Sequence, residues 1–102
     1  MSDEVTVVAK VRAAAGMGDA LAALLIEQAA AVRRAEPACR VYKVHRSPSD
    51  PDAFLFYEVY ADEAAFELHR HSAHLAAYRD RRESQGLTAG PAQVEMFHAI
   101  TD

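Results

Sequence analysis

The sequence predicts an α+β domain with the element order β-α-β-β-α-β, a ferredoxin-like antiparallel sheet carrying both helices on one face. Three observations carry this. Four short segments alternate apolar and polar residues with the period of a strand. Two longer segments repeat apolar residues at helical spacing. Joined by right-handed crossovers, that order most often closes into this fold. A chain of 102 residues makes one domain, 1–102, with a single modest core.

In the first strand, residues 5–12, Val5, Val7, Ala9 and Val11 point one way and Thr6, Val8, Lys10 and Arg12 the other. Residues 13–18 connect it to a helix that Asp19 is suited to open. Leu21, Leu24, Leu25, Gln28 and Val32 then form one helical stripe, and Glu36-Pro37 stops it, because proline disfavours the α conformation of the residue before it. Residues 39–46 make a second strand, residues 47–53 (SPSDPDA) a turn, and residues 54–60 a third strand. Asp62 is placed to cap the next helix, which carries Phe66 and His69 on one side. Ser72 breaks that helix and caps a second segment, in which Leu75, Tyr78, Arg79 and Arg82 recur at helical spacing. Gly86 ends it, residues 87–91 form a loop, and residues 92–100 are the fourth strand.

Composition narrows the function. The chain is 51% hydrophobic and 25% charged with a net charge of −4, which suits a folded globular domain. Basic residues form no broad stripe, so nucleic acid is not an expected partner. Arg79, Arg81 and Arg82, mixed with Asp80 and Glu83, read as a solvated helix face. The one cysteine, Cys39, rules out an intramolecular disulfide and reads as a small buried hydrophobe. The N-terminus is acidic and runs directly into a strand, unlike a signal peptide, and no apolar run is long enough to span a membrane. The expected location is cytoplasmic, with no membrane partner. Both faces of the third strand are apolar: Phe54, Phe56 and Tyr60 beside Glu58 on one, Leu55, Tyr57 and Val59 on the other. With helices on one sheet face only, the other calls for a cover, and a twofold homodimer with sheets face to face supplies it.

The chain resembles the antibiotic biosynthesis monooxygenase family, a branch of the dimeric α+β barrel superfamily, over nearly its whole length. The resemblance rests on E-P-x-C-x-x-Y at Glu36, Pro37, Cys39 and Tyr42, the Asp50-Pro51 turn, and E-x-Y at Glu58 and Tyr60. It continues with A-F-x-x-H at Ala65, Phe66 and His69, and S-x-H at Ser72 and His74. Ala38 departs from the usual glycine, and Tyr60 stands where many members have tryptophan. The resemblance implies a dimeric barrel and chemistry without a cofactor on phenolic, quinol or polyketide-like molecules. The family also holds haem-degrading enzymes, an isomerase of a phosphorylated sugar and members of no known reaction. The haem-degrading type needs an asparagine and a tryptophan, and this chain has neither.

The candidate catalytic residues are His69, as a general base, and Glu58, as its partner or as a helix-to-sheet tie. Tyr42, Tyr60, Phe66, His74 and Tyr78 are the candidate substrate-binding residues. No metal site is expected, since there is no H-E-x-x-H pattern and the serine at position 72 breaks the helix between His71 and His74. No glycine-rich phosphate loop indicates a nucleotide or flavin. Acid-base isomerisation of a small carbonyl compound and a non-catalytic ligand-binding barrel stand beside the oxygenase reading.

Overall fold

The structure, a computed structural model, describes residues 3–101. Its elements are β1 (Val5–Arg12), α1 (Gly18–Ala35), β2 (Cys39–Arg46), β3 (Ala53–Tyr60), α2 (Glu63–Arg70), α3 (Ala73–Ser84) and β4 (Gln93–Phe97). The strands form one antiparallel sheet in the order β2-β3-β1-β4. This is the predicted ferredoxin-like arrangement, with the second helical region divided into α2 and α3.

The inner sheet face is built by register. Val5, Val7, Ala9 and Val11 of β1 lie opposite Tyr60, Glu58, Phe56 and Phe54 of β3, and all eight are buried. The α1 stripe predicted from spacing is buried in full, with Leu21, Leu25 and Val32 wholly shielded from solvent. Each such side chain contributes about 2 kcal/mol through burial, which holds α1 on the sheet. Leu75, Tyr78 and Leu87 complete the cluster from the α3 side.

Three details differ from the sequence reading. Asp19 lies in the first turn of α1 but does not cap it; its carboxylate takes a hydrogen bond from Arg46 at 2.9 Å instead. The β2–β3 ladder slips between Cys39 and Val41, a bulge that leaves Arg40 out of the pairing. Cys39 and Tyr42 are therefore both on the inner face although three residues separate them. β4 is shorter than residues 92–100. Thr6 pairs with Phe97, and with only Val5 of β1 left beyond it the ladder ends there, before His98 to Ile100. All five β4 residues are exposed, because the helices do not reach over this edge strand.

The helix ends follow their local signals. The Asp62 carboxylate accepts from the Ala65 amide at 2.8 Å, and the Ser72 hydroxyl accepts from Leu75 at 3.3 Å. At the end of α3, Gly86 has φ +60°, its amide donates to Glu83, and the Leu87 amide donates to Arg82. This paired closure requires a left-handed residue and turns Leu87 into the core. A Cβ at Gly86 would meet nothing within 4 Å, so substitution there costs backbone strain alone. Gly86→Ala is expected to cost about 1 kcal/mol, seen as a drop of roughly 4–8 °C in Tm. An unchanged Tm would show that the left-handed turn is not needed.

Candidate active site

A cleft of about 390 Å³ opens between the inner sheet face and the α2–α3 layer. Val7, Ala9, Phe56, Phe66 and Leu75 form its apolar walls, and the exposed Val94 and Met96 of β4 form its open side. Tyr42, Glu58, His69 and Tyr78 face the same space, and Arg70, Arg79 and Arg82 join from the helices. A larger open groove of about 750 Å³ lies along Lys10, Arg12, His45 and Arg46. It holds none of the buried ionisable groups, and convergent buried groups are what mark a site of chemistry.

His69 is buried in the last turn of α2 within an aromatic cage. The rings of Tyr60 and Tyr42 lie 5.3 and 5.7 Å from its own, and Phe66 stacks at 6.5 Å. Its Nδ1 is 2.8 Å from Oε2 of Glu36, which sits just beyond α1. Nε2 of His74 reaches the same oxygen. On a continuous helix, residues five apart point about 140° away from each other. The break at Ser72, whose hydroxyl donates to the His69 carbonyl at 2.7 Å, lets both rings converge on one carboxylate. Pro37 aims that carboxylate: it holds Glu36 at φ −125°, ψ 82°, off the helical path.

A carboxylate only accepts, so His69 presents Nδ1–H to Glu36 and leaves Nε2 as its free basic atom. Burial lowers the pKa of His69, against the opposing pull of Glu36, which keeps the ring neutral near pH 7. Nε2 lies 3.9 Å from Oε1 of Glu58, beyond hydrogen-bond reach. Glu58 instead accepts from the Tyr60 hydroxyl at 2.5 Å. Burial pushes the Glu58 carboxyl up to about 7; the Tyr60 hydrogen bond opposes this and the nearby Glu36 charge adds to it. The cleft thus holds a neutral imidazole beside an acid poised near neutrality. Burial also raises the hydroxyl pKa values of Tyr42 and Tyr78, so both stay protonated donors. Cys39 is pushed up to about 12 by burial, then by the charges of Glu36 and Glu58, and is no nucleophile at pH 7.

Tyr42, Phe66, Tyr78, Glu58 and His69 therefore share one cleft, whereas Tyr60 and His74 do not line it. Tyr60 is fully buried behind Glu58, and His74 opens on the other side of the helix layer, beside Gln28 and Tyr78. The expected direct pairing of Glu58 with His69 is replaced by two separate pairs, Glu58–Tyr60 and His69–Glu36. Arg79 and Arg82 are not a purely solvated face: both line the cleft, while Arg81 turns outward to Glu27 at 2.6 Å. Glu36 is the residue that sequence reasoning missed. A signal was present, because an acidic residue before proline at a helix C-terminus faces the negative end of the dipole and needs a compensating partner.

Among the described residues, Glu36, His69 and His74 also form a set that could hold a metal ion, with one ligand atom each and all within 4.8 Å. The 2.8 Å from Glu36 to His69 is nevertheless a hydrogen bond. Ligands of a tetrahedral zinc stand about 3.3 Å apart, so the trio would have to open to admit one. Among the described residues no helix is long and apolar enough to cross a membrane.

Residues 4–81 match the antibiotic biosynthesis monooxygenase family. The fold superposes on PA3566 from Pseudomonas aeruginosa with a TM-score of 0.84 at 29% identity, covering 99% of this chain and 98% of that one. Rv0793 from Mycobacterium tuberculosis gives 0.84 at 27% identity, covering 97% of each chain. SnoaB, a cofactor-independent oxygenase from Streptomyces nogalater, gives 0.83 at 18% identity, covering 99% of this chain and 97% of that one. Among curated proteins, sll1783 from Synechocystis sp. is 28% identical over 64 residues, 63% of this chain. That match spans 42% of sll1783, less than half its length.

Glu58 offers a test of the site's electrostatics. Folded, it keeps its proton to about pH 7, whereas the ordinary value is 4.5. Between those values the folded state binds the extra proton, so stability falls as pH rises from 4.5 to 7 and stays reduced above. Glu58→Gln keeps an acceptor for Tyr60 and removes that slope. Its Tm is expected to exceed that of the wild type by about 5 °C at pH 8, with no gain at pH 4. A variant no more stable than the wild type at pH 8 would contradict the assignment.

Proposed function

The chain belongs to the antibiotic biosynthesis monooxygenase family, and from that premise we propose that it is a cofactor-independent monooxygenase. Its substrate is an electron-rich phenol, quinol or polyketide-like aromatic, and His69 is its general base. The observation that carries this reading is a neutral imidazole whose Nδ1 is fixed by Glu36 and whose Nε2 stands free in an apolar cleft.

The chemistry follows from that geometry. Nε2 takes the proton of the substrate hydroxyl, and Glu36 stabilises the imidazolium that forms. The substrate anion passes one electron to dioxygen, and the radical pair combines as a carbon-bound peroxide. The peroxide anion takes the proton back from the His69 imidazolium, and loss of water then leaves a new carbonyl, so one oxygen atom enters the product and the other leaves as water. All four electrons come from the substrate. The protein supplies deprotonation, orientation between Tyr42, Phe66 and Tyr78, and exclusion of water. Tyr60 and His74 act from behind, Tyr60 on Glu58 and His74 on Glu36.

A second reading has its own support. Glu58, with a pKa of about 7, and neutral His69 form an acid-base pair 3.9 Å apart, the equipment for isomerising a small carbonyl compound without oxygen. We further propose a homodimer through the outer sheet face, where Tyr57 and Phe97 are 40% and 47% exposed. Leu55 and Val8 lie beside them, a patch that pairing with a second copy would bury.

Turnover of a panel of neutral anthrones and quinols with and without oxygen separates the two reactions. Oxygen-dependent product that falls at least about 100-fold in folded His69→Gln supports the oxygenase; anaerobic turnover would favour the isomerase. A structural knot alone would give no turnover and a His69→Gln variant that is chiefly less stable. Light scattering is expected to give twice the chain mass, and Tyr57→Glu to give the monomer.

A further inference from the structure

The cleft carries a charge that the proposed reaction does not use. Three arginines line it, and only Arg70 has a carboxylate partner, Glu67 at 2.7 Å. Arg79 and Arg82 have none among the described residues, although Asp80 and Glu83 are their neighbours in sequence. The guanidinium of Arg82 lies 5.3 Å over the ring of Tyr78. Its Nε and the Tyr78 hydroxyl are both shut off from solvent without a well-formed hydrogen bond, although the Arg82 charge acts on that hydroxyl at close range. Buried donors without a full partner are costly, and the contact of Arg82 with Tyr78 offsets only part of that cost. The one carboxyl lining the cleft is Glu58, which is tied to Tyr60. That leaves a positive field on the α3 wall of an otherwise apolar cleft, which the exposed Val94 and Met96 also line.

We propose that Arg79 and Arg82, with the Tyr78 hydroxyl, form a subsite for an anionic substituent on the substrate, a carboxylate or comparable oxyanion. The proposal rests on the cleft being the substrate site and adds the class of molecule it takes: an aromatic acid rather than a neutral phenol. Guanidinium groups suit a carboxylate through paired, directional hydrogen bonds. Tyr78 adds a third donor four residues before Arg82, one turn away on α3, and Arg79 lies three residues before Arg82. The anion anchors the ring system against α3, and the reacting hydroxyl is directed toward His69 within the same cleft. The same field speeds encounter with an anionic ligand at low ionic strength.

The test measures binding without turnover. Affinities of 2,5-dihydroxybenzoate and of its neutral methyl ester are compared anaerobically by calorimetry, in the wild type and in Arg79→Gln/Arg82→Gln. The wild type is expected to bind the acid at least tenfold more tightly than the ester, with the preference shrinking as salt is raised. The double variant is expected to bind both alike. Arg79 is exposed, so Arg79→Gln alone serves if the double variant does not fold, and is expected to lose part of the preference. Equal affinities in the wild type, a preference that survives the substitutions, or binding of neither compound would each overturn the subsite. The oxygenase reading fails separately, by absence of oxygen-dependent turnover of neutral anthrones. Anion selectivity can therefore fall while that reading stands, and the reverse.

Discussion

Glu36 puts a negative charge at the end of a helix that disfavours one, and the surrounding structure answers it with two imidazoles. Much of the local architecture is the means of bringing those three groups together. Pro37 takes Glu36 off the helical path, the break at Ser72 lets histidines five residues apart converge, and burial keeps the contact out of competition with water. The contact joins the end of α1 to the end of α2 and the start of α3. It also fixes the tautomer of His69. The same hydrogen bonds that hold three helices together thus decide which ring nitrogen is free to act.

On the cleft side the sheet sets the second half of the site. The β1–β3 register puts Glu58 among Val7, Phe56 and Tyr60, where a charged carboxylate is poorly solvated. The Tyr60 hydroxyl offsets only part of that cost, so the acid remains poised near neutrality. A base held neutral by burial and an acid held near its midpoint by burial are two outcomes of one cause, a dry cleft. The β2 bulge serves the same end by keeping both Cys39 and Tyr42 on the inner face, where alternation alone would keep one.

The two sheet faces divide the work. The inner face is covered by helices except along β4, and the uncovered strip is where the cleft opens. The outer face leaves Tyr57 and Phe97 partly exposed. Arg79 and Arg82 of α3 line the same cleft as the buried His69 and the exposed Val94 and Met96, so charge, access and imidazole share one space.

The sequence by itself determined what depends on neighbours in the chain: every strand and helix, the α1 stripe, the caps at Asp62 and Ser72, and the glycine stop at Gly86. These are set by side-chain periodicity and by hydrogen bonds reaching three or four residues, so they are legible without a partner in view. Phe66, His69 and Glu58 were legible as inward-facing groups for the same reason. The tertiary structure alone decided who meets whom. Glu36 joins His69 across 33 residues, Glu58 takes Tyr60 rather than His69, Tyr60 and His74 fall outside the cleft, and Arg79 and Arg82 fall within it. Periodicity assigns a residue to a face, and a face offers several partners. Which one is reached depends on how helices end and cross the sheet, and that is fixed only when the whole core packs.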